Sequence, residues 1–363
     1  MPKKRPITYE ESGVGGAGSL ERLLQAIDTV RGLGAPQRLG IGHFASVVEI
    51  GDNLGLAITT DGVGTKILIA QLADRYDTIG IDCVAMNVND LICVGATPIT
   101  MVDYLAVQEP HERLLEEIGK GLAEGARRAD INICGGELAQ IKPMLDGAKP
   151  DWGFDLVGTG IGLVALDAVV DGNSIESGDV VLGIASNGLH SNGYSLARKV
   201  LLDQEGLTVD SHVPELGMAL GEALLAETSI YVKEIVSLLQ SDIPVKGLAH
   251  ITGDGLGNLT RLDTPHGFVI DHLPQEQVPP IFHLIRERGP VELAEMFQVF
   301  NMGIGFCAIV PESDVSQAKT ILSESGHEVL TLGYVDSSIN EKELRIEPFR
   351  LSWSHQDKRF SPY

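Results

Sequence analysis

Three observations predict a two-domain protein of the α+β / α/β class. The chain has 363 residues, more than one ordinary core supports. Segments that alternate apolar and polar residues interleave in both halves with segments whose apolar residues recur three and four apart. Glycine is abundant, with 42 residues, while aromatic residues make up only 5%, a balance that suits close-packed layers joined by tight turns.

Taken in order, residues 1–11 are polar and read as a flexible arm. Leu20, Leu23, Leu24, Ile27 and Val30 share one helical face, with Ser19 as a candidate N-cap. Residues 13–18 satisfy G-x-G-x-x-G, but Thr8-Tyr9-Glu10-Glu11-Ser12 is too polar to be the strand that a dinucleotide fingerprint requires, so the run reads as arm or loop. A glycine-rich turn at 40–44 precedes a strand at 54–60. A buried helix is expected at 78–95, a strand at 98–107, a helix at 111–129 and a glycine-interrupted strand at 155–167. Residues 167–178 are rich in Asp, Gly, Asn and Ser and mark a boundary. Beyond it come a buried strand at 180–184, helices at 193–204 and about 216–240, strands near 267–271, 303–310 and 328–334, and a helix at 312–325. The expected units are 12–168 and 169–347, followed by an extended tail at 348–363.

Composition narrows the partners. Lys plus Arg is 27 and Asp plus Glu is 50, giving −23, a charge that repels phosphate backbones and anionic lipid. Nucleic acid and membranes are not expected partners, and an anionic ligand needs a local cation or a metal ion. Cys83, Cys93, Cys134 and Cys307 lie in apolar stretches without metal-ligand spacing and read as buried free thiols of a reducing, cytoplasmic setting. No signal peptide and no apolar run long enough to span a bilayer is recognised.

The chemistry concentrates at the ends of elements. Thr60-Asp61-Gly62-Val63-Gly64-Thr65-Lys66 closes a strand. Gly62 and Gly64 allow close backbone approach, Thr65 and Lys66 suit phosphate oxygens, and Asp61 is a hard ligand for Mg²⁺. A hairpin turn with an exposed lysine is an equal reading. Asn87-Val88-Asn89-Asp90 and Gly135-Gly136-Glu137 add carboxylates beside amides or glycines, so Asp61, Asp90 and Glu137 form a candidate metal set. Otherwise these are polar helix residues and a turn. Residues 186–195 crowd hydroxyls, amides and His190 after a buried strand, where substrates bind in α/β folds. His190 could serve as acid or base, or be the structural histidine of an Asx-turn. His250-Ile251-Thr252-Gly253-Asp254-Gly255 is a phosphate-binding loop or a plain turn.

In this order the segments resemble the phosphoribosylformylglycinamidine cyclo-ligase (aminoimidazole ribonucleotide synthetase) family. The matching stretches are 60–66, 76–82, 84–90, 95–98, 103–104, 135–137, 188–198, 230–233, 249–253 and 300–305. The resemblance implies a homodimer in which each N-terminal domain gives strands to a shared β-barrel beside a C-terminal α/β domain. It implies ATP-driven closure of formylglycinamidine ribonucleotide to aminoimidazole ribonucleotide, with Mg²⁺ on Asp61, Asp90 and Glu137. Gly42, Phe44, Thr60, Gly62, Gly64, Thr65, Lys66 and Asn89 would surround ATP. His190, Ser191, Asn192 and Gly193 would face the anionic ribonucleotide, with Thr252 and Gly253 at its phosphate. Asp61, Lys66, Asp90 and His190 would carry the chemistry. Residues 138–143 read Leu-Ala-Gln-Ile-Lys-Pro where the family usually has Thr-Ala-Glu-Met-Pro-Gly, and no lysine lies between Lys4 and Lys66. Those departures keep two alternatives open: a paralogous Mg-ATP-dependent kinase or synthetase with another substrate, and a nucleotide-binding module without turnover.

Overall fold

The computed structural model describes residues 8–9, 18–354 and 356–363. The side chain of Ser19 and most of the 13–18 glycine run lie outside the described residues, as does most of the 1–11 arm.

The first half is one six-stranded sheet with helices on one side. In chain order it comprises α1 (Gly18–Asp28), β1 (Gln37–Leu39), β2 (Ser46–Gly51), β3 (Leu54–Gly62), α2 (Lys66–Ala73), α3 (Asp77–Cys93), β4 (Thr97–Val107), α4 (Glu112–Ala129), β5 (Asn132–Gln140) and β6 (Phe154–Ala165). The strand order is β1-β2-β3-β6-β4-β5, antiparallel except for the parallel β4–β5 pair at the edge. That parallel pair follows from α4, which carries the chain back across the sheet.

Of the 17 residues of α3, only Asp77 and Asp90 escape full burial, so it has no solvent face. It lies between the sheet, α4 and the second domain. Glycines let α3 and α4 touch backbone to backbone: a Cβ on Gly80 would come 2.2 Å from the Leu122 nitrogen, and one on Gly121 2.2 Å from the Asp77 carbonyl. Among the described residues no helix lies over the opposite face of the sheet. Leu56, Val157, Ile161, Leu163 and Val102 are half-buried there, and Ile58 and Tyr104 are exposed.

The second half comprises β7 (Val180–Ala185), α5 (Tyr194–Arg198), β8 (His212–Val213), β9 (Met218–Ala219), α6 (Leu220–Leu224), α7 (Val232–Leu239), β10 (Gly247–His250), β11 (Gly267–Ile270), α8 (Pro280–Arg288), α9 (Leu293–Val299), β12 (Ile304–Val310), α10 (Val315–Ser323), β13 (Val329–Asp336), β14 (Glu343–Ile346), β15 (Leu351–Ser354) and β16 (Arg359–Pro362). Eight strands form a sheet in the order β10-β12-β7-β13-β11-β14-β15-β16, with β11–β14 as its parallel pair. The larger apolar core runs from Phe44 in the first half to Phe360 in the last strand, and a smaller one gathers Leu39, Val47, Ala57, Leu91 and Val164.

Several expectations need correction. The segment at 348–363 is not a tail apart from the fold. It forms β15 and β16, paired antiparallel to the sheet, with Trp353 buried. The helix expected at 216–240 is two short helices separated by an irregular segment at 225–231. The groups of that segment hydrogen-bond to α3 instead of to each other, and such tertiary bonds outcompete helix propensity. The helix at 193–204 is α5 followed by a π-helical stretch, Lys199–Gln204. Cys83, Cys93 and Cys307 are buried and free, but Cys134 is exposed. Its apolar neighbours lie on an edge strand.

Candidate active site

Strand β3 delivers Asp61 to the sheet face that packs on α3, then breaks at Gly62 and Gly64 into α2. Gly64 has a φ of +68°, a conformation that costs glycine little. Asn87 of α3 clamps the strand end: its Oδ1 accepts the Asp61 N–H at 3.2 Å, and its Nδ2 donates to the Asp61 carbonyl at 3.2 Å and to the Cys83 carbonyl at 2.9 Å. The Asp61 carboxylate takes a bond from the Gly62 N–H at 2.7 Å. Burial, and next the neighbouring charge of Asp90, push Asp61 up from its usual 3.8 to about 6.

Asp90, at the C-terminal part of α3, is oriented by the last residue of β10. His250 Nδ1 lies 2.9 Å from Asp90 Oδ1, and Nε2 lies 3.4 Å from the Asn89 amide nitrogen. A carboxylate accepts only, so the proton belongs on Nδ1. Two close carboxylates, one of them held above its usual pKa, fit a hard divalent cation. Mg²⁺ takes one or two carboxylates and fills its remaining positions with phosphate oxygens and water.

The facing wall comes from the second domain. Ser191, Asn192 and Gly193 precede α5, and Thr252 and Gly253 follow β10. Two adjoining hollows of about 290 and about 330 Å³ share Tyr9, Asn192 and Thr252. Asp61, Gly62, Gly64 and Thr65 line the first, and Gly253 and Arg261 the second. The Asn192 amide nitrogen is buried and among the described residues has no hydrogen-bond partner, a donor held ready at the cleft. Ser191 Oγ is 2.9 Å from Thr228 Oγ1, and Thr65 Oγ1 is 3.4 Å from Ser195 Oγ across the domains.

The structure therefore brings together Asp61, Gly62, Gly64, Thr65, Asp90, Ser191, Asn192, Gly193, Thr252 and Gly253 around one region. It does not do so for the rest. Within one chain Glu137 does not join Asp61 and Asp90. The register aligns Asp61 with Gly158, Asp103 and Gly136, whereas Glu137 aligns with Tyr104, Val157 and Gly62. Adjacent residues of a strand point to opposite faces, so Glu137 is on the other face and three strands away. Among the described residues no three His, Cys, Asp or Glu side chains form a metal-binding group. Thr60 falls on that outer face too, bonded to the Gly158 carbonyl at 2.8 Å.

Lys66 does not face the cleft. Its ammonium is fully buried, donating to Asp82 Oδ1 at 2.9 Å and to the Ala226 carbonyl at 2.6 Å, and Thr228 donates to the same Asp82 oxygen through N–H and Oγ1 at 2.7 and 2.8 Å. Asn89 is likewise buried, holding the Ser229 carbonyl and the Tyr231 N–H at 2.8 and 3.0 Å. Both tie the domains together. His190 is buried, and burial holds its pKa well below the usual 6.5, so it stays neutral and away from the cleft wall. Phe44 is in the core, while Gly42 lines a separate cavity of about 1000 Å³ formed by residues 31–43 against the second domain.

Sequence reasoning passed over three groups near the acids. Asp103 shares the Asp61 face of the sheet, and burial pushes its pKa up. His250 orients Asp90, and Arg261 lines two cavities. Asp103 and His250 end or interrupt apolar alternation, which was the available signal; Arg261 carried none.

Comparison with known proteins agrees with this architecture. Residues 42–164 match the family described as AIR synthase related protein, N-terminal domain, and residues 176–342 match its C-terminal domain counterpart. Among similar proteins are phosphoribosylformylglycinamidine cyclo-ligases from Methanothermobacter thermautotrophicus, 45% identical over 93% of this chain and 97% of the relative, and from Thermococcus kodakarensis, 46% identical over 95% and 99%. Among solved structures, thiamine-monophosphate kinase from Stenotrophomonas maltophilia superposes with a TM-score of 0.61 at 18% identity, covering 91% of this chain and 96% of that one. Hydrogenase maturation protein HypE in complex with ATP gives 0.58 at 18%, covering 92% of each chain. At such identities these structures share the fold.

Proposed function

Because the chain belongs to the AIR synthase related family, and within it to the phosphoribosylformylglycinamidine cyclo-ligases, we propose that it closes formylglycinamidine ribonucleotide to aminoimidazole ribonucleotide in de novo purine biosynthesis, with ATP converted to ADP and phosphate. The observation that carries the reading at the site is Asp61, with the charge of Asp90 beside it, facing Asn192 and Thr252 across an inter-domain cleft. An amide oxygen is a poor leaving group. Transfer of the γ-phosphoryl to it makes phosphate the leaving group, and an amidine nitrogen then closes the five-membered ring. Phosphoryl transfer asks for positioning and charge neutralisation more than for a covalent nucleophile.

Asp61 and Asp90 would hold Mg²⁺, which neutralises triphosphate charge when bound. The Gly62–Thr65 turn would receive phosphate oxygens on its backbone and hydroxyl. Asn192 and Ser191 would orient the ribonucleotide, with Thr252 and Gly253 beside them. Lys66, Asn89 and His190 hold the scaffold that sets this geometry.

We also infer a homodimer joined through the uncovered apolar face of the first sheet, where Ile58, Ile161 and Tyr104 lie. No helix of the described residues is long and apolar enough to cross a membrane, and the free cysteines suit the cytoplasm that we infer.

The test is direct. Purified protein with formylglycinamidine ribonucleotide and Mg-ATP should give the aminoimidazole and ADP in equal amounts. ADP formed only with a different phosphoryl acceptor would favour a paralogous kinase and sink the reading.

A further inference from the structure

The acid-lined cleft and the large cavity against residues 31–43 share two residues, Asp254 and Arg261. Asp254 is engaged: its Oδ1 accepts from Gln298 Nε2 at 2.7 Å. Arg261 is not. It ends a 3₁₀ turn, Gly255–Arg261, and is half-buried, with its guanidinium carbon 5.0 Å from the centre of the Phe44 ring. Among the described residues its guanidinium makes no hydrogen bond or ion pair. Other cations of the large cavity are paired: Arg38 with Asp171 at 3.3 Å, Lys342 with Asp263 at 3.3 Å and with the Leu262 carbonyl at 2.7 Å, Arg31 with Asp28 at 3.1 Å. Lys358 is exposed.

The guanidinium of Arg261 carries five donors, and with no protein partner among the described residues they stay available to a ligand. The Phe44 ring lies beside the guanidinium without consuming a donor. Asp61 and Asp254 are near enough to feel its charge, yet among the described residues no carboxylate closes on this fork. The planar fork matches phosphate in geometry and charge.

We propose that Arg261 is a phosphate-binding residue at the meeting point of the two cavities, its fork spanning two oxygens of a nucleotide phosphate. This rests on the proposed reaction, which supplies two sources of that chemistry: the terminal phosphate of ATP and the 5′-phosphomonoester of the ribonucleotide. A cation between two ligands that must meet also explains why Arg261 borders both cavities.

The experiment compares wild type with Arg261→Ala and Arg261→Lys, after thermal melting has established that each folds. In Arg261→Ala we expect kcat/KM to fall about a hundredfold or more, as for loss of one charge-stabilising donor set. Arg261→Lys keeps the charge without the fork and should recover only part. If the terminal phosphate of ATP is the partner, kcat falls and the KM of the ribonucleotide holds. If the 5′-phosphate is the partner, that KM rises, and calorimetric affinity for the ribonucleotide without ATP falls in parallel. Either pattern supports the proposal. An Arg261→Ala protein with kcat, both KM values and ribonucleotide affinity all within twofold of wild type overturns it. Calorimetry needs no turnover, so a wild type that binds nucleotides but closes no ring would refute the proposed reaction while leaving Arg261 testable.

Discussion

At the scale of single residues, the site rests on two carboxylates with different supports. Asp90 is tethered to His250, and Asp61 to one backbone N–H, with burial working against its charge. A folded-state pKa near 6 against the usual 3.8 means that the folded chain binds the extra proton between those values, so the Asp61 charge costs stability as pH rises through that window. A cation that needs the ionised form competes with that proton. Asp61→Asn should therefore lower turnover about a hundredfold or more, because several kcal/mol of charge stabilisation depends on the bound metal. It should nevertheless melt no lower than wild type at pH 7. In wild type the apparent affinity for Mg-ATP should weaken as pH falls below about 6. Kinetics, melting curves and a pH series of nucleotide binding check this; a wild-type rate in the variant discredits the metal assignment.

At the scale of elements, α3 is the organiser. One side of it lies on the first sheet, its Gly80 meets Gly121 of α4 at a backbone-to-backbone crossing, and its polar residues Asp82 and Asn89 reach the irregular 225–231 segment of the other domain. Lys66 of α2 completes that junction. Burial alone drives the lysine toward its neutral form and the aspartate toward its acid form, and each offsets the other's penalty. Removing one partner leaves a charge stranded. Lys66→Met should cost about 3–5 kcal/mol of stability, and Lys66→Met with Asp82→Asn should regain much of it, because the amide can still accept from Thr228. Urea titration of the three proteins decides. Were Lys66→Met as stable as wild type but deficient in ATP binding, Lys66 would belong to the ligand after all.

For the whole molecule, the first sheet has helices on one face and an uncovered apolar face on the other, and its β5 edge is exposed as well. Ile161 sits near the centre of that face, aligned with Ile58. Ile161→Asp puts a charge there without touching the helix side, so it should yield a folded monomer where wild type should sediment as the proposed dimer. Sedimentation velocity over a concentration series reads this directly. A monomeric wild type would remove the dimer, and the exposed face would then need another partner.

Much of this was legible in the residues. Period-two runs located β3, β4 and β6, and glycine breaks beside Asp61 and the polar turn at 186–195 located both walls of the cleft, because backbone periodicity and turn chemistry are local properties. Asp61 and Asp90 could be picked out for the same reason: they sit where elements end. Which acids share a face could not, since that depends on strand register. One residue of offset between Gly136 and Glu137 sends the third expected ligand to the far side of the sheet. Nor could the sequence say that Lys66 turns inward, that His190 stays neutral in the core, or that 348–363 closes the second sheet. Burial and pairing are set by what other parts of the chain bring to a place, and no local pattern carries that information.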